Sequence, residues 1–436
     1  MTATSARAAS LVPPAEPAGL TLVQLAWLAA AVFVVSTGYG AFMPMLPGWL
    51  APMLPGATAV DVARHIGFLG GVYAAGVLVG APLWGIVADR VGRGRILIVG
   101  LVGYVASLLL LLVPGLAGLW GLYALRATAG FFVGAVVPVV AALVAEHTPE
   151  ERRARRFAWL GAMSLLGFLF GPGLNAVADW AGSWLSAGTV SLALSGRIVI
   201  VLSALLGAVM MLGLAATLPA SRAPAAAARN DHAASAESHT VALWWFSGAV
   251  MFVLAGFELG IVLQGQLHTG LSPRQVAMMF AECSLVMLGV NALLFLTGLL
   301  EKISARSLMS AGLIVAMAGL AVLAGHRSEA WMYLGVSLAS AGTGLLLPVI
   351  AYLAAGAAPQ RLGATMGALA AAGGLGQVLG SSLGGWLFGS LAQRSFAWLT
   401  LPLVAMLLLL LARPGWLSVV PAESKRHSAG RRGPAK

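Results

Sequence analysis

The sequence predicts an all-α integral membrane protein of twelve spanning helices, arranged as two six-helix halves related by pseudo-symmetry. Three observations carry that expectation. Only 9% of the 436 residues are charged and 60% are hydrophobic, whereas about a quarter of a soluble chain is charged. Apolar runs of about 18 residues or more recur along the whole length, each able to cross a bilayer core of about 30 Å as a helix. Finally, short segments of the first half return in the second.

Taken in order, the runs and their breakers give spans at 22–43, 66–88, 96–114, 117–145, 157–177, 197–218, 242–264, 273–299, 307–324, 329–356, 362–391 and 395–412. Residues 1–21, with Pro13, Pro14, Pro17 and the single basic residue Arg7, form an amino-terminal tail. The apolar run from Leu22 is too long for a signal-peptide core and reads as a retained first span. Six spans fill 22–218. The polar Ala/Ser/Pro-rich segment at 219–241 reads as a cytoplasmic linker. Six more spans fill 242–412, and 413–436 is a basic tail. The least sharply bounded region is Trp180–Arg197, half polar and rich in Ser and Gly, and Asp179 beside it reads as a loop residue.

Charge placement orients the chain. On one side lie 19 of the 25 basic residues, including Arg90, Arg93, Arg95, Arg152, Arg156, Lys302, Arg306 and Arg361; the other side holds Arg64, Arg197, Arg274, Arg327 and Arg394. The positive-inside rule then puts both termini in the cytoplasm and the protein in the inner membrane. Because the basic residues are spread over loops and tails, the net charge of +11 points to anionic lipid headgroups and not to nucleic acid. The single cysteine, Cys283, excludes an intramolecular disulfide, and no CxxC or Cys/His spacing exists. No metal or cofactor is expected.

The repeat is specific. Gly134-Ala-Val-Val-Pro138-Val139-Val-Ala141 returns as Gly344-Leu-Leu-Leu-Pro348-Val349-Ile-Ala351, and Gly161-Ala162-x4-Gly167 as Gly367-Ala368-x4-Gly373. Six plus six spans with parallel repeats place a substrate path at the interface of the halves.

The segment Gly85-x3-Asp89-Arg90-x-Gly92-Arg93-x-Arg95 resembles the signature loop between the second and third helices of the major facilitator superfamily. Positive-inside anchoring alone would account for its arginines but not for the spaced Asp and Gly. The resemblance implies the major facilitator fold, and for Gly85, Asp89, Arg90, Gly92 and Arg93 a cytoplasmic charge network that latches the halves in one conformation. Leu122-x3-Arg126-x3-Gly130-x3-Gly134 resembles the superfamily's fourth-helix motif, whose arginine is tied to proton coupling. An arginine at that depth is functional by default, and Arg126 could hold a carboxylate ionised by pairing. Gly167-x3-Gly171-Pro172 resembles the antiporter motif of the fifth helix, found in exporters, although Leu174-Asn175 replaces its further glycines. Gly298-Leu-Leu-Glu301-Lys302-x3-Arg306 looks like a decayed second copy of the signature loop.

Few acids reach membrane depth. Glu258 and Glu282 lie on the seventh and eighth spans, read as antiparallel neighbours whose carboxylates share one level of a central cavity. Glu282, the deeper, is the preferred proton carrier; the first span has no acid. Cavity candidates are Tyr39, Phe257, Met279, Phe280, Asn291 and Gln377, since aromatics and Met adapt to amphipathic compounds. The functional expectation is a secondary transporter resembling the twelve-span drug:proton antiporters, monomeric and powered by a proton gradient without a cofactor. An uptake symporter or facilitator for a small metabolite is the alternative within the family. A non-transporting membrane enzyme or receptor is the alternative from another class, against which stands the lack of HExxH, GxSxG or a Walker loop.

Overall fold

The computed structural model describes residues 20–114, 116, 118–148, 150–186, 191–218, 238–357 and 362–412. Both tails, most of the 219–241 linker and Arg361 lie outside the described residues. Twelve long helices follow one another: α1 (Leu22–Phe42), α2 (Ala59–Val91), α3 (Arg93–Leu110), α4 (Leu119–Glu146), α5 (Glu150–Ser186), α6 (Leu192–Thr217), α7 (Ser238–Leu263), α8 (Pro273–Leu296), α9 (Ala305–Gly325), α10 (Glu329–Ala357), α11 (Leu362–Leu391) and α12 (Thr400–Ala412). The connections after even-numbered helices lie on one face, called the loop face below; those after odd-numbered helices lie on the far face.

Helix starts follow local chemistry. Thr21, Thr58 and Ser272 cap α1, α2 and α8 in capping boxes with Gln24, Asp61 and Gln275, each satisfying two backbone N–H groups that a helix end leaves open. Ser191 and Ser304 cap α6 and α9. Eleven apolar segments are long enough to span a membrane, and the last, Thr365–Ala412, has 48 residues. It contains two crossings, because the chain reverses at Leu391–Arg394, where Ala392 adopts φ 47°. The protein is therefore a multi-pass membrane protein of twelve spans. Its outward surface is apolar, and Trp120, Trp180, Trp184 and Trp398 sit exposed near the far-face ends of their helices, as interfacial tryptophans do.

The packing obeys the sequence repeat. In the first half α1 packs on α5, α2 on α4, α3 on α4 and α3 on α6; in the second α7 packs on α11, α8 on α10, α9 on α10 and α9 on α12. Adding six to each helix number converts one set into the other. Pro138 and Pro348, with their flanking repeats, occupy α4 and α10. The halves meet through α2 against α11 and α5 against α8. Two expectations change. Asp179 is not in a loop: α5 runs unbroken through Pro172 to Ser186, about 55 Å, and Asp179 accepts a 2.5 Å hydrogen bond from Ser195 of α6. Likewise α7 and α8 touch, but only slightly. α7 spends its face on α11, and α8 lies between α5 and α10.

Candidate functional site

Arg126 lies seven residues into α4, about 10 Å from its far-face end, and is only 5% exposed. Its guanidinium carbon is 4.4 Å from the centre of the Tyr73 ring, 5.1 Å from Phe42 and 5.9 Å from Tyr39. Cation–π contacts of this kind contribute about 0.5–2 kcal/mol. Its Nε and Nη2 are buried with no hydrogen-bond partner, and so is the Tyr104 hydroxyl. Each unmet polar group of this sort costs about 1–3 kcal/mol. Arg126, Tyr104, Tyr39, Tyr73 and Phe42 line one cavity of about 20 Å³, whose remaining wall includes Leu108, Leu111 and Leu125. The expected carboxylate partner is absent among the described residues: no acid lies within ion-pair distance of Arg126. Aromatic rings from α1 and α2 fill the space around it.

Tyr39 joins this cavity to the other half. Its ring contacts Tyr73 at 5.2 Å and Phe168 at 5.3 Å. Its hydroxyl faces the Gln377 side chain of α11 and lies within electrostatic range of both Glu258 and Arg126. Glu258 in turn lies within range of Cys283 on α8. So the structure brings together Tyr39, Arg126, Glu258 and Gln377 from the sequence-derived set. Glu282, like Glu258, lies within electrostatic range of Cys283. It accepts a hydrogen bond from Ser337 of α10 and so belongs to the packing between α8 and α10, with its Oε2 buried and unpartnered. Phe257, Met279 and Phe280 are packed in the core and do not line the Arg126 cavity. Asn291 donates to the Met287 carbonyl of its own helix.

The fifth-helix motif does what its spacing predicts. A side chain at Gly167 would meet the backbone of Phe33 and Thr37 and the side chain of Ser36, and one at Gly171 the backbone of Gly40 and Ala41; small residues there let α1 and α5 touch. Asn175, where the motif departs from its fuller form, donates to the Ala41 carbonyl at 3.1 Å, just before the α1 helix narrows at Met43–Met45.

A family profile described as the Major Facilitator Superfamily matches residues 28–294 and 259–436. The chain belongs to the major facilitator superfamily. Among curated relatives, the Quinolone resistance protein NorA of Staphylococcus aureus is 27% identical over 144 residues, 33% of this chain and 35% of that protein. The Tetracycline resistance protein, class B, of Escherichia coli is 33% identical over 135 residues, 31% of this chain and 32% of that protein. The matches thus span about a third of these relatives' length. Among solved structures, the human organic anion transporter MFSD10 covers 89% of this chain and 99% of its own at a TM-score of 0.69 and 17% identity. The xylose transporter XylE from E. coli, in a partially occluded inward-open conformation, covers 89% of this chain and 97% of its own at 0.70 and 14%. These likenesses are of fold.

The superfamily's signature loop is built within one half. Gly92 turns the chain at φ 108°, a backbone region that favours glycine. Arg93 then reaches back to Asp89 at 3.3 Å and across to Glu146 of α4 at 2.8 Å. All three are in the first half, so among the described residues the loop's ion pairs do not cross between halves, and Arg90 is exposed. Among the described residues no ion pair engages the expected latch between halves. Instead the halves close at the far face. Gly67 of α2 lies against Gly385 of α11, Gly70 against Ser381 and Gly71 against Ser382, and Gln266 after α7 donates to the Pro44 carbonyl at 2.6 Å. Toward the loop face no neighbouring atom lies within 4 Å of a side-chain position at Gly85. Sequence reasoning missed Tyr73, Tyr104, Phe168 and Glu146. The aromatic residues sit at ordinary helical spacings, and Glu146 is 53 positions from Arg93; only the rotation of neighbouring helices joins them.

Proposed function

We propose that this superfamily member is a proton-coupled exporter of a small amphipathic compound, working by alternating access between the halves 22–218 and 242–412. The observation that carries the reading is Tyr39, a single buried side chain within reach of a cation of one half, Arg126, and an acid of the other, Glu258. A carboxylate inside a membrane bundle is costly unless it exchanges its charge or partner, and Glu258 has that opportunity each time the halves rock. Glu258 therefore replaces Glu282 as the favoured proton carrier. The fifth-helix motif and the partial likeness to two resistance proteins support export. With the basic loop face in the cytoplasm of the inner membrane, as charge asymmetry favours, the conformation is open to the inside and closed to the outside.

The test uses everted vesicles with a fluorescent amphipathic dye added outside. An imposed pH gradient should drive dye movement with the full chain and not with Glu258→Gln, while Glu282→Gln retains it. No gradient-driven movement with the full chain overturns proton-coupled export, and loss with Glu282→Gln alone returns coupling to Glu282.

A further inference from the structure

We infer that the π-helical turn Gln264–His268 is the gate that sets how often the far face opens, with Gln266 as its bolt and Thr269 as its brace. The inference rests on the alternating-access part of the reading above and does not depend on what is carried or what drives it. The chain leaves α7 through a π turn and not an α turn, a form that occurs mostly as single turns and often at functional sites. Thr269 holds that turn twice over. Its N–H donates to the Gln264 carbonyl at 3.0 Å, and its hydroxyl shares a proton between the carbonyls of Gln264 at 3.2 Å and Gly265 at 2.8 Å. Gln266, in the middle of the turn, donates from Nε2 to the Pro44 carbonyl of the other half at 2.6 Å.

Pro44 lies in the counterpart element. The 3-10 turn Met43–Met45 follows α1, the first helix of its half, as the π turn follows α7. In a 3-10 turn the Pro44 carbonyl would accept from the residue three positions on, but that residue is Pro47, which has no N–H. The sequence thus leaves an acceptor available to the other half. Little else that is polar joins the halves. Among the described residues no ion pair crosses between them, and the other polar contact is Tyr39 beside Gln377. The rest of the closed far face, Gly67 on Gly385 and Gly70 and Gly71 on Ser381 and Ser382, is the close approach of small residues, an attraction without direction. The Gln266 bond is directional, and it must break each time the halves part there.

The experiment reads far-face opening as the reaction rate of one thiol. Ser381→Cys is combined with Cys283→Ala in the purified full chain, and a charged methanethiosulfonate is added. Ser381 is 3% exposed and lies against Gly70, so the reagent reaches that position when α2 and α11 separate. Gln266→Leu, and Gln266→Glu, which has a similar shape but no donor when ionised, should each speed the reaction about two- to tenfold, the factor of one hydrogen bond. Thr269→Val, which keeps the shape and loses the hydroxyl, should also speed it about two- to tenfold. Asn175→Ala removes a matching amide bond, to the Ala41 carbonyl near the end of α1, but within one half, and should leave the rate of the parent. The parent rate in both Gln266 variants overturns the proposal. So does acceleration by Leu and not by Glu, which would assign the effect to bulk, or the parent rate in Thr269→Val, which would remove the turn's part in it. Equal acceleration in Asn175→Ala overturns it too, because any loosening of α1 would then open the face. Positions 266 and 269 are read separately, so a variant that fails to fold leaves the other to decide. A thiol that reacts in no chain, parent included, would instead count against alternating access itself, and absence of gradient-driven dye movement would sink proton coupling without altering these rates.

Discussion

At the scale of single residues, the two arginines of the first half contrast. Arg93 is legible in sequence because its partner Asp89 lies one helical turn away; its second partner, Glu146, is brought in only by the packing of α3 on α4. The Arg93 pairs are partly exposed at a helix end, and pairs of that kind contribute less than about 1 kcal/mol. Arg93→Ala is therefore expected to leave the thermal unfolding of the purified protein nearly unchanged while slowing transport in vesicles, since the loop's geometry and not the bundle's stability depends on it. Arg126 is legible as an oddity, a charge inside an apolar run. Its ring of aromatic neighbours is not, because Tyr73, Phe42 and Tyr39 come from α1 and α2, and nothing in their spacing announces which way they face. The glutamates are a further case: depth along the chain favoured Glu282, and the hydrogen bond it accepts from Ser337 on α10 is a pairing that no one-dimensional reading shows.

At the scale of elements, the helix inventory follows closely from runs, caps and breakers, and the small-residue faces follow from spacings of four. What the sequence left obscure is where polar residues cease to mean loop. Asp179 and Trp180 continue α5 because Ser195 of α6 takes up the carboxylate, a pairing invisible to a one-dimensional reading. Close helix contact sets the cost of adding bulk. At Gly171 a side chain would overlap the α1 backbone at Gly40 and Ala41, so Gly171→Val is expected to destabilise the protein by about 1–3 kcal/mol, measured as a lower unfolding temperature in detergent. The reversal between α11 and α12 offers the opposite change. Ala392 holds φ 47°, a left-handed conformation that costs an L-residue about 1–2 kcal/mol, partly offset in glycine by about 0.5–1 kcal/mol of lost freedom. Ala392→Gly should raise the unfolding temperature slightly and leave dye transport as it is.

At the scale of the whole molecule, the pseudo-symmetry was legible and the conformation was not. Equivalent packing in the two halves follows from the repeat, but the sequence alone did not say which face would be closed. The four helices that join the halves carry glycines on both sides of this asymmetry. On the far face Gly67 and Gly385 touch. Toward the loop face Gly85 of α2, Gly161 of α5, Gly289 of α8 and Gly367 of α11 have nothing within 4 Å of a side-chain position. Bulk at these sites costs nothing in the conformation described and would obstruct closure of the loop face. Gly161→Leu and Gly289→Leu should therefore purify and unfold like the original protein while transport falls to background; undiminished transport would mean that α5 and α8 never meet there. Cys283, the chain's one cysteine, is buried in the core of the second half between helices that take part in this rearrangement. The protein thus carries its own single-site chemical clock. The rate at which a thiol reagent consumes that one sulfur would count how often the interior opens, with no engineered residue and no background labelling to subtract.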